Sequence, residues 1–127
     1  MKFVQTAVCV ALVAIAGAGC AGSRNTNLTP RSLPVATDSS YLFETTFTSD
    51  RRGVYPESVK AWVMIDLQLY PMQRVPNTEN RFEALIPLHR DRNVVRYNYK
   101  FEYAYAGTAV RLYDSKLSPE YTLVIPK

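Results

Sequence analysis

From Val94 to Tyr105, VVRYNYKFEYAY, apolar and polar positions alternate more cleanly than anywhere else in the chain. Val95, Tyr97, Tyr99, Phe101, Tyr103 and Tyr105 fall on one side of an extended backbone, and Arg96, Asn98, Lys100 and Glu102 on the other. Such a strand has one dry face and one wet face, and the dry face must be covered by a second layer of structure.

Shorter segments repeat the pattern. Tyr41 to Thr48 places Tyr41, Phe43 and Phe47 opposite Glu44, Thr46 and Thr48. From Val59 to Leu69 every odd position is apolar, while the even positions carry Lys60, Trp62, Met64, Asp66 and Gln68, with Tyr70 next in the same series. Arg81 to Leu88 keeps Phe82, Ala84, Ile86 and Leu88 in step, and Val110 to Tyr113 and Tyr121 to Ile125 read as the last strands. Turn signals separate them: Ser49 to Gly53, Pro71 and Pro76, His89 to Asn93, Ala106-Gly107, and Asp114 to Pro119. Pro71 and Pro76 predict an edge or a kinked crossing between sheets. No segment after Tyr41 carries a helical period, so the expected fold is an all-β antiparallel sandwich of six or seven strands over residues 41–127. Cys20 to Ser40, rich in Ser, Thr, Asn, Pro and Gly, shows no apolar period and reads as a flexible tether. Its expected reach is roughly 25 Å.

Met1 to Gly19 has the layout of a signal peptide: Lys2, an uncharged run to Ala16, then Gly17-Ala18-Gly19. The run is short for a bilayer-spanning helix, the alternative reading. Gly17-Ala18-Gly19-Cys20 resembles the lipobox of bacterial lipoproteins, which implies cleavage before an acylated Cys20 and stable anchoring by more than one chain. Ala21 stands where an aspartate would favour inner-membrane retention. For a Gram-negative source the resemblance therefore implies the outer membrane, facing the periplasm. Ordinary secretory cleavage after Ala18 is the other reading, and it leaves Cys20 as a lone thiol. Cys9, the second of the two cysteines, lies in the signal, so no disulfide is expected.

A second resemblance begins at Val59. An apolar strand, a proline-containing crossing, Arg81-Phe82-Glu83-Ala84-Leu85-Ile86-Pro87-Leu88, a polar loop, and then Val95-Arg-Tyr-Asn-Tyr-Lys-Phe101 before a glycine turn resemble the immunoglobulin-like early-set domains, including those of the glycogen-binding module type. The resemblance implies an immunoglobulin-like sandwich. Leu69-Tyr70-Pro71-Met72 stands where the glycan-binding version has an Asn-Gly-Trp turn.

Charge narrows the functions. A net +4 over 127 residues, one unit of it from Lys2, lacks the dense basic stripe expected of a nucleic-acid binder. Arginines recur in loops at Arg51-Arg52 and at Arg90 and Arg92, where they are either solvated loop charges or contacts to an anionic surface. The single histidine, His89, sits in a polar loop with no Gly-x-Ser-x-Gly elbow to serve. The acids are scattered, with no calcium loop and no zinc ligand set. Asp66 and Glu102 read as partners of basic residues on the sheet surface rather than as a glycosidase pair. No enzyme activity, metal or cofactor is expected.

The chemistry left is surface recognition. Trp62, Met64 and Tyr70, on the even face of Val59 to Tyr70, form a candidate patch for a protein partner or a sugar ring. Alternatively, covering loops make them a second small core. The expected function is a structural or adaptor lipoprotein docking an envelope protein, with a polysaccharide-binding module as the alternative.

Overall fold

The computed structural model describes residues 23–126. The expected signal peptide and Cys20 lie outside the described residues. Nine strands form: β1 (Ser23–Asn27), β2 (Ser40–Ser49), β3 (Lys60–Ile65), β4 (Gln68–Pro71), β5 (Gln73–Arg74), β6 (Arg81–Pro87), β7 (Val94–Ala106), β8 (Arg111–Leu117) and β9 (Tyr121–Val124). One sheet runs β1-β2-β6-β5. The other runs β4-β3-β7, with β8 and β9 sharing the far side of β7. All the strand pairs are antiparallel. The arrangement is the A-B-E-D and C′-C-F-G order of an immunoglobulin-like sandwich.

The alternating segments form the two inner faces. Val95, Tyr97, Tyr99, Phe101 and Tyr103 of β7 are buried against Phe43 and Phe47 of β2, with Val63 and Ile65 of β3 beside them and Phe82 and Ile86 of β6 across the core. Phe47 stacks on Phe101 at 4.3 Å between ring centroids, and Phe43 meets Tyr97 edge-on at 4.9 Å. Pro71 ends β4 in one sheet, the Met72 amide donates to the Ala61 carbonyl at 2.9 Å, and the chain passes into β5 of the other sheet. The proline marks the sheet crossing that the sequence predicts.

Four expectations are corrected. The strand count exceeds the expected six or seven. Residues 23–40 are not a free tether, because β1 pairs with β2 from Ser23↔Ser49 to Asn27↔Thr45. Beyond β1, the Leu33 amide donates to the Val124 carbonyl at 3.0 Å and the Val124 amide to the Arg31 carbonyl at 2.8 Å, which ties this segment to the other sheet. Among the described residues the folded unit therefore already includes Ser23, well before Tyr41. Periodicity misses β1 because its inward residues are Asn25 and Asn27. They lie opposite Phe47 and Thr45 and are satisfied by tyrosine hydroxyls: Asn25 Nδ2 donates to Tyr121 at 3.0 Å and Asn27 Nδ2 to Tyr97 at 2.8 Å.

Val59 to Leu69 is not one strand. Asp66 and Leu67 both have positive φ, 51° and 65°, and join β3 to β4 as a two-residue hairpin turn of the kind whose twist matches its strands.

Asp114 to Pro119 is not simply a loop, since β8 continues to Leu117. Leu117 pairs with Lys100 and Tyr121 with Tyr97, so residues 118–120 stand against only Asn98 and Tyr99. This is a β-bulge, held by the Tyr99 amide donating to Ser118 Oγ at 2.8 Å and the Ser118 amide donating to the Tyr99 carbonyl at 2.9 Å. The extra residue switches which side chains point inward, so Leu123 reaches the core.

Candidate functional site

Directly opposed residues of an antiparallel pair share a face, so the strand register assembles the outer surface of the β4-β3-β7-β8 sheet. Pro71, Trp62, Lys100 and Leu117 form one row across the four strands. Leu69, Met64 and Asn98 form the next, and Lys60, Glu102 and Ser115 lie on the other side. Trp62 and Met64 are half-buried, Pro71 is exposed, and Leu69 and Leu117 are 42% and 63% exposed. The Lys100 ammonium lies 5.9 Å from the Trp62 ring centroid and 3.3 Å from Glu102 Oε1. Its cation thus lies between the indole face and a carboxylate.

Tyr70 is not on this face. It pairs with Val63, whose side chain is buried, and packs partly buried against the core, with its hydroxyl donating to Gln68 Oε1 at 3.2 Å. The hairpin turn at Asp66-Leu67 is the cause: across it, even positions of β3 and odd positions of β4 share a side. Trp62 and Met64 are therefore joined by Leu69, Pro71 and Leu117, which alternation within one segment misses. The signal available in the sequence was Asp66, a residue type that tolerates the left-handed region, in the middle of an apolar run.

The four loop arginines divide between opposite ends of the sandwich. Arg51 and Arg52 lie in the turn after β2, where the Ala106 amide donates to the Gly53 carbonyl at 2.9 Å, at the end of β7. Arg51 bonds Asp114 at 3.2 Å and lies 4.2 Å from the Tyr105 ring centroid. Arg52 is exposed. Arg90 and Arg92 lie in the loop before β7, roughly 40 Å away along a 13-residue strand. Arg92 makes a two-pronged bond to Asp66, and the Arg92 guanidinium holds the Asp66 carboxyl below its ordinary range. That bond ties the β3–β4 turn to the β6–β7 loop. Arg90 is exposed in the same loop.

His89 is exposed, and its Nδ1 accepts the Asp91 amide at 3.3 Å. Glu102 is bound to Lys100 and Asp66 to Arg92, so the two acids are held in separate ion pairs. Among the described residues, no group of three His, Cys, Asp or Glu is placed to hold a metal ion, and no helix is long and apolar enough to cross a membrane.

A polar cleft of ≈ 610 Å³ opens between β1 and β9, lined by Asn25, Asn27, Arg31, Tyr121 and Thr122. Asn27 and Thr29 of its wall belong to the hydroxyl network joining the sheets. Tyr99 at the centre of that network donates to Asn27 Oδ1 at 2.6 Å and lies 2.9 Å from Thr29 Oγ1. Burial pushes the Tyr99 and Tyr97 hydroxyls above the ordinary phenol range, so both stay neutral and structural.

The chain is an immunoglobulin-like β-sandwich with a partly apolar outer sheet face around Trp62. Comparison with protein-family models and with curated proteins gives no match.

Proposed function

We propose that this chain is a non-enzymatic lipoprotein, anchored through acylated Cys20 to the outer membrane of a Gram-negative envelope. Its sandwich acts as a structural or adaptor module for another envelope protein. The observation carrying the adaptor reading is the row Pro71, Trp62, Lys100 and Leu117 with Met64 and Leu69 beside it. It is a mixed sheet face on which five apolar side chains, one of them a tryptophan, stand beside the Lys100–Glu102 pair, a composition that suits a protein contact. A sugar-binding platform centred on Trp62 needs further rings beside it to hold a pyranose. The neighbours of Trp62 on its face are Pro71, Lys100, Met64 and Lys60, none aromatic, and Tyr70 belongs to the core side. The adaptor reading is therefore preferred to the polysaccharide one.

The test places a photo-crosslinking residue at Ser115, on the rim of the face, in cells that express the full chain, alongside palmitate labelling of Cys20. Adaptor function gives one discrete crosslinked species that disappears in a Leu117→Glu variant of unchanged melting temperature. A face that crosslinks nothing, while soluble polysaccharide changes the fluorescence of Trp62, the only tryptophan, overturns it in favour of glycan binding.

A further inference from the structure

One end of the sandwich gathers the start of the described chain, two turns and a cluster of arginines. Ser23 opens β1 opposite Ser49. Beside it lies the turn carrying Arg51 and Arg52, joined through Gly53 to Ala106, where the β7–β8 hairpin begins. Only three residue steps separate Cys20 from Ser23, a span of at most about 11 Å for a fully extended chain. On the anchored reading proposed above, on which this inference rests, the folded unit has no long tether to lift it from the bilayer.

The surface at that end suits such a neighbour. Val110 and Tyr113 of the hairpin are 64% and 75% exposed. Arg24, Arg52 and Arg111 are exposed and have no carboxylate within ion-pair distance among the described residues. The Arg111 guanidinium lies 4.1 Å from the Tyr55 ring centroid, an arrangement that orders the side chain without neutralising it. Arg51 and Lys116 share Asp114, at 3.2 and 3.9 Å. Asp50, Glu57 and Glu79, the last lining a cleft with Ser49 and Pro56, are the exposed acids at this end; with Asp114 they face Arg24, Arg51, Arg52, Arg111 and Lys116, so the cations exceed the anions by one. Guanidinium groups bind phosphate oxygens through paired N–H donors. Exposed tyrosine favours the headgroup level of a bilayer, with its ring in the apolar boundary and its hydroxyl wet.

We infer that this end, bearing Arg24, Arg52, Arg111, Val110 and Tyr113, docks on the anionic phospholipid headgroups of the leaflet that holds the anchor. The anchor and the basic end then act as two membrane signals at one place. The strands stand on the bilayer, and Lys100, midway along β7, carries the Trp62 face about 20 Å above the docked end. The face points sideways, where a neighbouring envelope protein can meet it. Arg90, Arg92 and the β9 end of the chain point away from the membrane.

The full chain is expressed with Thr108→Cys or Asn93→Cys, both exposed positions, at the docked and distal ends. Each variant is labelled with a fluorophore and reconstituted in phosphatidylethanolamine–phosphatidylglycerol vesicles containing a headgroup spin-label quencher. Docking gives strong quenching at Thr108 and little at Asn93. An Arg24→Glu/Arg52→Glu variant brings the Thr108 signal down to the Asn93 level while Cys20 still incorporates palmitate. Equal quenching at both positions with palmitate incorporated overturns the docking and leaves the anchor standing. Absence of palmitate overturns the anchored reading, and the docking inference falls with it.

Discussion

Asn27 Oδ1 accepts the Tyr99 hydroxyl at 2.6 Å, and Asn27 Nδ2 donates to the Tyr97 hydroxyl at 2.8 Å. One amide from the edge strand β1 thus serves two buried rings of the central strand β7. Replacing Asn27 by Ala removes the donor to the Tyr97 hydroxyl, while the Tyr99 hydroxyl keeps Thr29 and the Glu44 carbonyl; leaving the Tyr97 group short of its partner costs about 1 to 3 kcal/mol. A chemical melt of Asn27→Ala against the parent chain measures it. An unchanged midpoint would mean that the Asn27 amide adds nothing to the stability of the two rings.

The β3–β4 turn is strained at one position. Leu67 has φ of 65° and is 93% exposed, so it holds a left-handed backbone and makes little contact in return. Glycine removes that conformational cost. Leu67→Gly is expected to stabilise the domain by about 1 kcal/mol, against a left-handed penalty of about 1 to 2 kcal/mol for an L-residue. The thermal midpoint should rise by about 4 to 8 °C for a domain of this size.

Gly107 behaves in the opposite way. A Cβ there would lie 2.7 Å from the Val110 carbonyl oxygen, the acceptor of the Gly107 amide in the hairpin that closes β7 onto β8. Gly107→Ala must move that backbone, and overpacking of this kind costs about 1 to 3 kcal/mol. Amide hydrogen exchange should show the loss first as faster exchange in β8.

Alkaline pH should unfold the protein through Tyr97 and Tyr99. Burial raises both groups above the ordinary phenol value of about 10, so between that value and the folded one the unfolded chain has released protons that the native state still holds. Stability is therefore undiminished by these groups below pH 10 and falls as the pH rises above it. Each contributes a loss of up to about 1.4 kcal/mol per pH unit. Urea melts between pH 9 and pH 11 should show the decline. Tyr99→Phe, although less stable at pH 8 for its lost hydrogen bonds, should show a shallower one.

Alternation was enough to identify β2, β6 and β7 and their inner faces, because a strand buried on one side repeats every two residues and Tyr, Phe and Val announce the dry side. Pro71 marked the crossing between sheets for an equally local reason, the missing amide. Three things required the folded chain. β1 has a polar inner face, so only the tyrosine hydroxyls waiting across the sandwich make its burial favourable. The side on which Tyr70 falls depends on two left-handed residues, Asp66 and Leu67, that reverse the chain in mid-run and bring Leu69 and Pro71 beside Trp62. The basic end exists because the β2 turn, the β7–β8 hairpin and the start of β1 meet in space, bringing Arg24, Arg52 and Arg111 together from across the sequence. Local periodicity reports one element against water, whereas a surface is assembled by register and by which ends of the strands coincide.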